Sequence, residues 1–230
     1  MENKKYILTN ETIKVEDGSV LYRIRAVKDF GDVHKGDYGG WIESESNLSQ
    51  KDDCWVYNEA RVSGNSRVYG HAKVRNNAWV YDYAEVFDYA VISDSARICG
   101  HARIYNHAEV CDYAMVYDYA WIYDKADVSE YSRVYGYARV FSDVEVYGRA
   151  DICGDAEIES FEDYAVYKNN WSTGRYFTWT RSNNKWAVGC FYGSGEELIK
   201  RAYEMSEISG KCYEIIVKAQ EAISNIKNNY

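Results

Sequence analysis

The sequence predicts a mainly β chain with three parts: a small β unit and cap over residues 1–47, a solenoid of short stacked strands over 48–162, and an α+β module over 163–230. Three observations carry this. From Val56 to Ile158 every sixth residue is Val or Ile without exception. Counting that residue as the first of a hexad, the fifth is small throughout, as at Ala60, Ser66, Ala102 and Ala156, with Val144 the one large exception. The third is almost always Gly, Asn, Asp or Ser, as at Asn58, Gly64, Asp112 and Gly154. Those types tolerate a left-handed backbone, so each hexad reads as one short strand and one tight corner.

Ahead of the repeat, KYIL, TIKV and SVLYRIRAV are short strand-like runs, and Glu16-Asp17-Gly18 between the last two is a hairpin signal. Two turns are expected next, around Gly36 and around Gly39-Gly40, delivering Trp41 and Ile42 as an apolar plug over the open end of the stack.

A period of six has no helical phase, so the chain must coil with each strand stacked on the next turn. The β-branched residue fills the interior and the small fifth residue lets the corner close. V-Y-G-H-A-K and its fellow hexads resemble the hexapeptide repeat of left-handed parallel β-helices of the bacterial transferase type. That resemblance implies a left-handed triangular prism with three hexads per turn, hence about six turns, roughly 29 Å of prism at about 4.8 Å each. It also implies a trimer, since proteins with this helix commonly associate through one face. On such a prism Tyr69, Phe87, Tyr105, Tyr123 and Phe141 line up as an aromatic ladder on one outer face, expected as the oligomer interface, with a ladder that only stabilises the stack as the alternative.

Many members of this class are acyltransferases that use a histidine in the cleft between subunits, which makes His71, His101 and His107 the residues to weigh. All three occupy the fourth, corner position, where other hexads hold Tyr83, Tyr89, Tyr113, Tyr119, Tyr131 and Tyr137. A position that exchanges His for Tyr so freely reads as corner packing, and no substrate loop interrupts Val56 to Ile158. A zinc site of the γ-class carbonic anhydrase type would need His71, His107 and Asp112, and the carboxylate departs from that family's three histidines. The expectation is a chain with no catalytic cluster, metal or cofactor.

Glu159 to Asp163 breaks the hexad, with Phe161 expected to plug that end. RYFTWT and KWAVGCF then read as strands joined by Ser182-Asn183-Asn184. Ser194 and Glu197 form a capping box opening a helix that Gly210 ends, and a second helix carries Ile215, Ile216, Ala219, Ala222, Ile223 and Ile226 on one face. Trp171, Arg175, Tyr176, Trp179, Arg181, Lys185 and Trp186 concentrate the residue types of binding hot spots, the alternative being a hairpin whose alternate Trp side chains form the module's own core. Tyr176, Thr178 and Thr180 share one face of their strand and Phe177, Trp179 and Arg181 the other, so both faces are not expected to be fully buried.

Residues 165–230 carry 9 basic and 6 acidic side chains, whereas the whole chain has a net charge of -9. Nucleic acid is therefore not the expected partner; a host protein or a small anionic ligand is. The first residues lack the apolar core of a signal peptide and no run is long enough to span a membrane, so a cytoplasmic location is expected. The spacing separates Cys99 from Cys153 by three turns, about 14 Å, too far for a disulfide, so free thiols are expected. The overall layout, with GGWIE, a Tyr-rich prism and a GCF module, resembles uncharacterised hexapeptide-repeat proteins of phages and prophages. The resemblance implies a non-enzymatic oligomeric binding protein, by analogy one acting against a host defence or sequestering a nucleotide-like signal. The alternatives are an acyl-CoA-dependent acyltransferase and a structural assembly protein.

Overall fold

In the computed structural model, which describes residues 4–16 and 18–227, the hexads wind into three parallel sheets. Each two-residue strand pairs with the strand eighteen residues on: Arg103–Ile104 lies between Glu85–Val86 and Trp121–Ile122. The Val and Ile of every hexad point inward and are buried. The corners have the left-handed geometry their residues invite, with φ near 55–60° at Asn58, Asp88 and Asp112 and 64° at Gly64 and Gly100. Glu130, a residue with no such preference, is held at φ 57° by the turns above and below it. Ser66 and Ser132, which replace the corner alanine, donate their hydroxyls to Ser63 and Ser129 carbonyls at 2.6 Å, so neither is a buried orphan.

The stack is longer than the hexads alone make it. Ile42 and Leu48 pair in parallel with Val62 and Val68, adding a partial turn and giving about seven turns in all. The hexad count missed this turn because two extra residues lie between Leu48 and Val56, which breaks the period. The same sheet continues outward, antiparallel, into Val20–Ala26 and Tyr6–Lys14. Asp17, the centre of the expected hairpin turn, lies outside the described residues.

Gly39 and Gly40 therefore do not make a turn. They sit inside the strand Tyr38–Ile42, and a Cβ on either would stand 2.5–2.6 Å from Ala60 O, Val56 O, Ile24 or Trp55. Close approach, not turn geometry, explains the pair. Ile42 enters the interior as expected, but Trp41 faces outward, packs with Val15 and Leu21, and donates Nε1–H to Glu59 at 2.9 Å. The N-terminal end is closed instead by Tyr6, Phe30 and Trp55, with Lys5 beneath them. Lys5 is 1% exposed and donates Nζ–H to the carbonyls of Lys51, Asp52 and Cys54 at 3.1, 3.1 and 2.8 Å. Burial pushes its pKa down, and the carbonyls offset part of the cost of enclosing the ammonium.

At the other end Phe161 is 76% exposed in a short 3-10 turn, so it plugs nothing. Tyr164, Val166 and the strand Tyr176–Thr180 cover the last turn instead. That strand is the second of a four-stranded antiparallel sheet with Tyr164–Lys168, Lys185–Val188 and Phe191–Gly193. Phe177 to Thr180 are buried on both faces, with the solenoid end on one side and two helices on the other, while Tyr176 and Arg181 at the ends of that strand stay partly exposed. Thr178 Oγ1 accepts the Asp151 N–H at 2.9 Å, while Phe177, Trp179 and Trp186 pack with Leu198, Ala202, Tyr213 and Val217.

Helix α1 spans Gly195–Met205 and opens with the expected Ser194–Glu197 capping box. Helix α2 spans Glu207–Lys227, so Gly210 ends no helix. It lies within α2, where a Cβ would meet the Tyr203 ring at 2.3 Å. The inward face of α2 carries Tyr213, Val217 and Gln220, whereas Ile215, Ile223 and Ile226 are exposed.

Candidate ligand cleft

Three hexads per turn place every third corner in one column. One column reads Glu59, Asn77, Ser95, Tyr113, Tyr131 and Arg149 at the fourth position. Tyr113 and Tyr131 stack with centroids 5.1 Å apart and planes 5° apart. Arg149 continues the column, its guanidinium 4.8 Å from the Tyr131 centroid. From the C-terminal module Tyr176 approaches the same guanidinium at 5.5 Å, and the Lys168 ammonium lies 5.5 Å from the Tyr176 centroid.

These residues form one side of an open cleft of about 760 Å³ between the solenoid and the module. Met115, Arg133 and Asp151 of the adjoining sheet face line it, and Thr173, Gly174, Arg175 and Gly189 form its rim. Gly174 and Gly189 hold φ at 68° and 59°, and a Cβ on Gly189 would crowd the Arg175 guanidinium at 3.4 Å.

Four cations and one carboxylate face this space. Arg133 and Asp151 satisfy each other through two hydrogen bonds of 2.6 Å, and the bidentate contact with Asp151 raises the Arg133 pKa further. Asp151 is 7% exposed, so its charge is committed to that pair. Arg149, Lys168 and Arg175 have no carboxylate partner among the described residues. The cleft thus carries a net charge of +3 on an acidic chain, with aromatic faces beside the cations. Chemically it can hold an anion and stack a flat ring.

Of the residues singled out in the sequence, Arg175 and Tyr176 reach this cleft. Trp179 and Trp186 lie in the module's core at 3% and 1% exposure, and Trp171 packs edge-on against Phe177 and Tyr213. Arg181 pairs with Glu162 and Asp163, and Lys185 is half-buried in its strand. Tyr113 and Tyr131 read in the sequence only as corner packing, and Arg149 and Lys168 carry no signal there. The column of fourth positions would have aligned the first three, but nothing in the sequence places the module against that corner.

The histidines stand on the other two corners. His71 and His107 sandwich Tyr89 at 4.7 and 5.0 Å, and His101 stacks between Tyr83 and Tyr119 at 4.9 Å on each side. Asp112 accepts the Glu130 N–H of the next turn at 3.1 Å. No group of three or more His, Cys, Asp or Glu side chains among the described residues is arranged to hold a metal. The ladder Tyr69–Phe87–Tyr105–Tyr123–Phe141 is a stack within the chain, with centroids 4.9–5.2 Å apart and planes within 7°. All six cysteines are free thiols. No described helix is long and apolar enough to cross a membrane.

No family model matches the chain. A stretch of it is similar to the uncharacterized acetyltransferase YdcK of Escherichia coli (strain K12), with 38% identity over 77 residues, 27% of this chain and 24% of that protein. The match therefore spans about a quarter of that relative's length.

Proposed function

We propose that the chain is a binding protein for a small anionic ligand of nucleotide type, held in the cleft between the Tyr131–Arg149 corner and the Tyr176 strand. The observation that carries this reading is the meeting of three cations without carboxylate partners, Arg149, Lys168 and Arg175, with the rings of Tyr131 and Tyr176. Cations supply sites for phosphate oxygens, and each stacked base contributes roughly 1–3 kcal/mol. Asp151, the cleft's one carboxylate, is tied to Arg133, and all three histidines of the solenoid corners face elsewhere, which favours capture over turnover. Sequestration of a nucleotide-like signal is the function most in keeping with such a site.

A second reading is acyl transfer from an acyl-CoA, favoured by the stretch similar to a protein named as an acetyltransferase. The same three cations suit the phosphates of coenzyme A, but this reading needs a general base that the cleft's own side chains do not supply.

Isothermal titration of the full chain with ATP, ADP, a cyclic dinucleotide and acetyl-CoA, at low and high salt, separates these outcomes. The binding reading expects a salt-sensitive complex with at least one nucleotide, lost in Arg149→Ala/Lys168→Ala, and no release of coenzyme A thiol with amine acceptors present. Silence across the panel would overturn it, and steady thiol release would favour acyl transfer.

A further inference from the structure

Helix α2 has a second apolar face, opposite the one that packs on the module. Ile208, Ile215 and Ile226 are 68%, 68% and 59% exposed there, and Cys212, Ala219 and Ala222 fall between them. The spacing of these six positions runs four, three, four, three, four. A mean spacing of about 3.5 residues is what a helix needs to keep one seam against another helix. Along one border of the stripe Lys211 and Lys218 pair back onto Glu207 and Glu214 within α2, which leaves the apolar seam free of unbalanced charge.

We propose that this stripe docks a second copy of α2, antiparallel to the first, about a two-fold axis near Val217. The six positions are symmetric about that residue. In an antiparallel pair Ile208 meets the partner's Ile226, Cys212 meets the partner's Ala222, and Ile215 meets the partner's Ala219. Both central layers then set a larger side chain against a smaller one, and the seam has even thickness. A parallel pair would instead stack Ala219 and Ala222 each on its own copy, leaving two adjacent thin layers beside a wide Ile215 layer, and such gaps lose contact on both sides. The aliphatic stem of Lys211 would cover the partner's Ile223, which is 47% exposed. A two-fold contact uses the same patch on both copies and closes on itself, so it gives a discrete dimer and not a filament.

The test is the mass of the full chain in solution, with two variants. Light scattering is expected to give twice the 26.6 kDa chain mass, falling to one chain in Ile215→Glu with an unchanged circular dichroism spectrum, since that side chain is 68% exposed. In Ala222→Cys, oxidised glutathione is expected to join Cys212 of one copy to the introduced thiol of the other, as identified by peptide mapping. A single-chain mass up to the highest soluble concentration would overturn the proposal. So would an assembly that survives Ile215→Glu, or a Cys212–Cys212 link in the unmodified chain, which is the signature of the parallel pair.

Discussion

Two of the three arginines that line the cleft, Arg149 and Arg133, are expected to give opposite phenotypes. Arg149 is exposed, makes no ion pair among the described residues and touches two rings at 4.8 and 5.5 Å. Exposed cation–π contacts contribute about 0.5–1 kcal/mol, so Arg149→Ala is expected to cost about 1 kcal/mol of stability, a shift of about 2–4 °C in a chain of this size. A charge-assisted contact to a ligand contributes about 1.5–3 kcal/mol, so the same change should weaken nucleotide binding roughly 10- to 150-fold. Arg133→Ala instead leaves the Asp151 carboxylate, whose side chain is 10% exposed, without its partner. Breaking a fully buried pair costs about 3–5 kcal/mol; the Arg133 side chain is 42% exposed, so about 2 kcal/mol is expected here, roughly 4–8 °C. Thermal melts with and without nucleotide, together with titrations, measure both quantities. Equal losses of stability in the two variants, or an Arg149→Ala protein that binds as tightly as the parent, would refute the division of labour.

Alkaline lability is expected from the tyrosines. Burial pushes the phenols of Tyr117, Tyr164 and Tyr192 up to about 12 and raises those of Tyr6, Tyr57, Tyr81 and Tyr135 as well. The unfolded chain loses these protons near pH 10 while the folded chain keeps them, so this contribution is intact below about pH 10 and declines above it; urea midpoints that stay flat from about pH 9 to 11 would contradict this. Ile104→Ala, at a fully buried position between Val86 and Ile122, should cost about 3–4 kcal/mol by urea denaturation, and a loss under about 1 kcal/mol would mean the interior is loosely packed. Trp186→Ala should cost about 3–5 kcal/mol and flatten the near-ultraviolet dichroism, because that indole is module core at 1% exposure and not a contact residue. Tyr105→Ala removes a ring stacked at 5.0 and 5.1 Å on its two neighbours; about 1–3 kcal/mol should be lost with no change of mass in light scattering.

The solenoid was legible because one physical rule repeats: a β-branched residue inside, a left-handed corner and a small residue to close it, at fixed spacing. Legibility failed where the rule broke. The two residues inserted between Leu48 and Val56 concealed the first partial turn, and Gly39-Gly40 read as a turn because close packing and tight turning both select glycine. In α2 the apolar periodicity was read correctly as a face, but Ile215, Ile223 and Ile226 lie opposite the face that packs, where Tyr213, Val217 and Gln220 do the work. The cleft was half legible. Arg175 and Tyr176 stood out by residue type, whereas Arg149 and Tyr131 join Tyr176 only when the module's strand folds back over the solenoid corner, a contact between residues far apart in sequence that no local pattern encodes.

The proposed function rests on a nucleotide occupying the Tyr131–Arg149–Tyr176 cleft. Photolabelling the full chain with an azido-adenine nucleotide and mapping the modified peptides reads that occupancy out. Label on the peptides carrying Tyr131 or Tyr176, competed away by unmodified nucleotide and lost in Arg149→Ala/Lys168→Ala, is the predicted result. Label confined to other faces of the solenoid, or label that competitor does not displace, would contradict it.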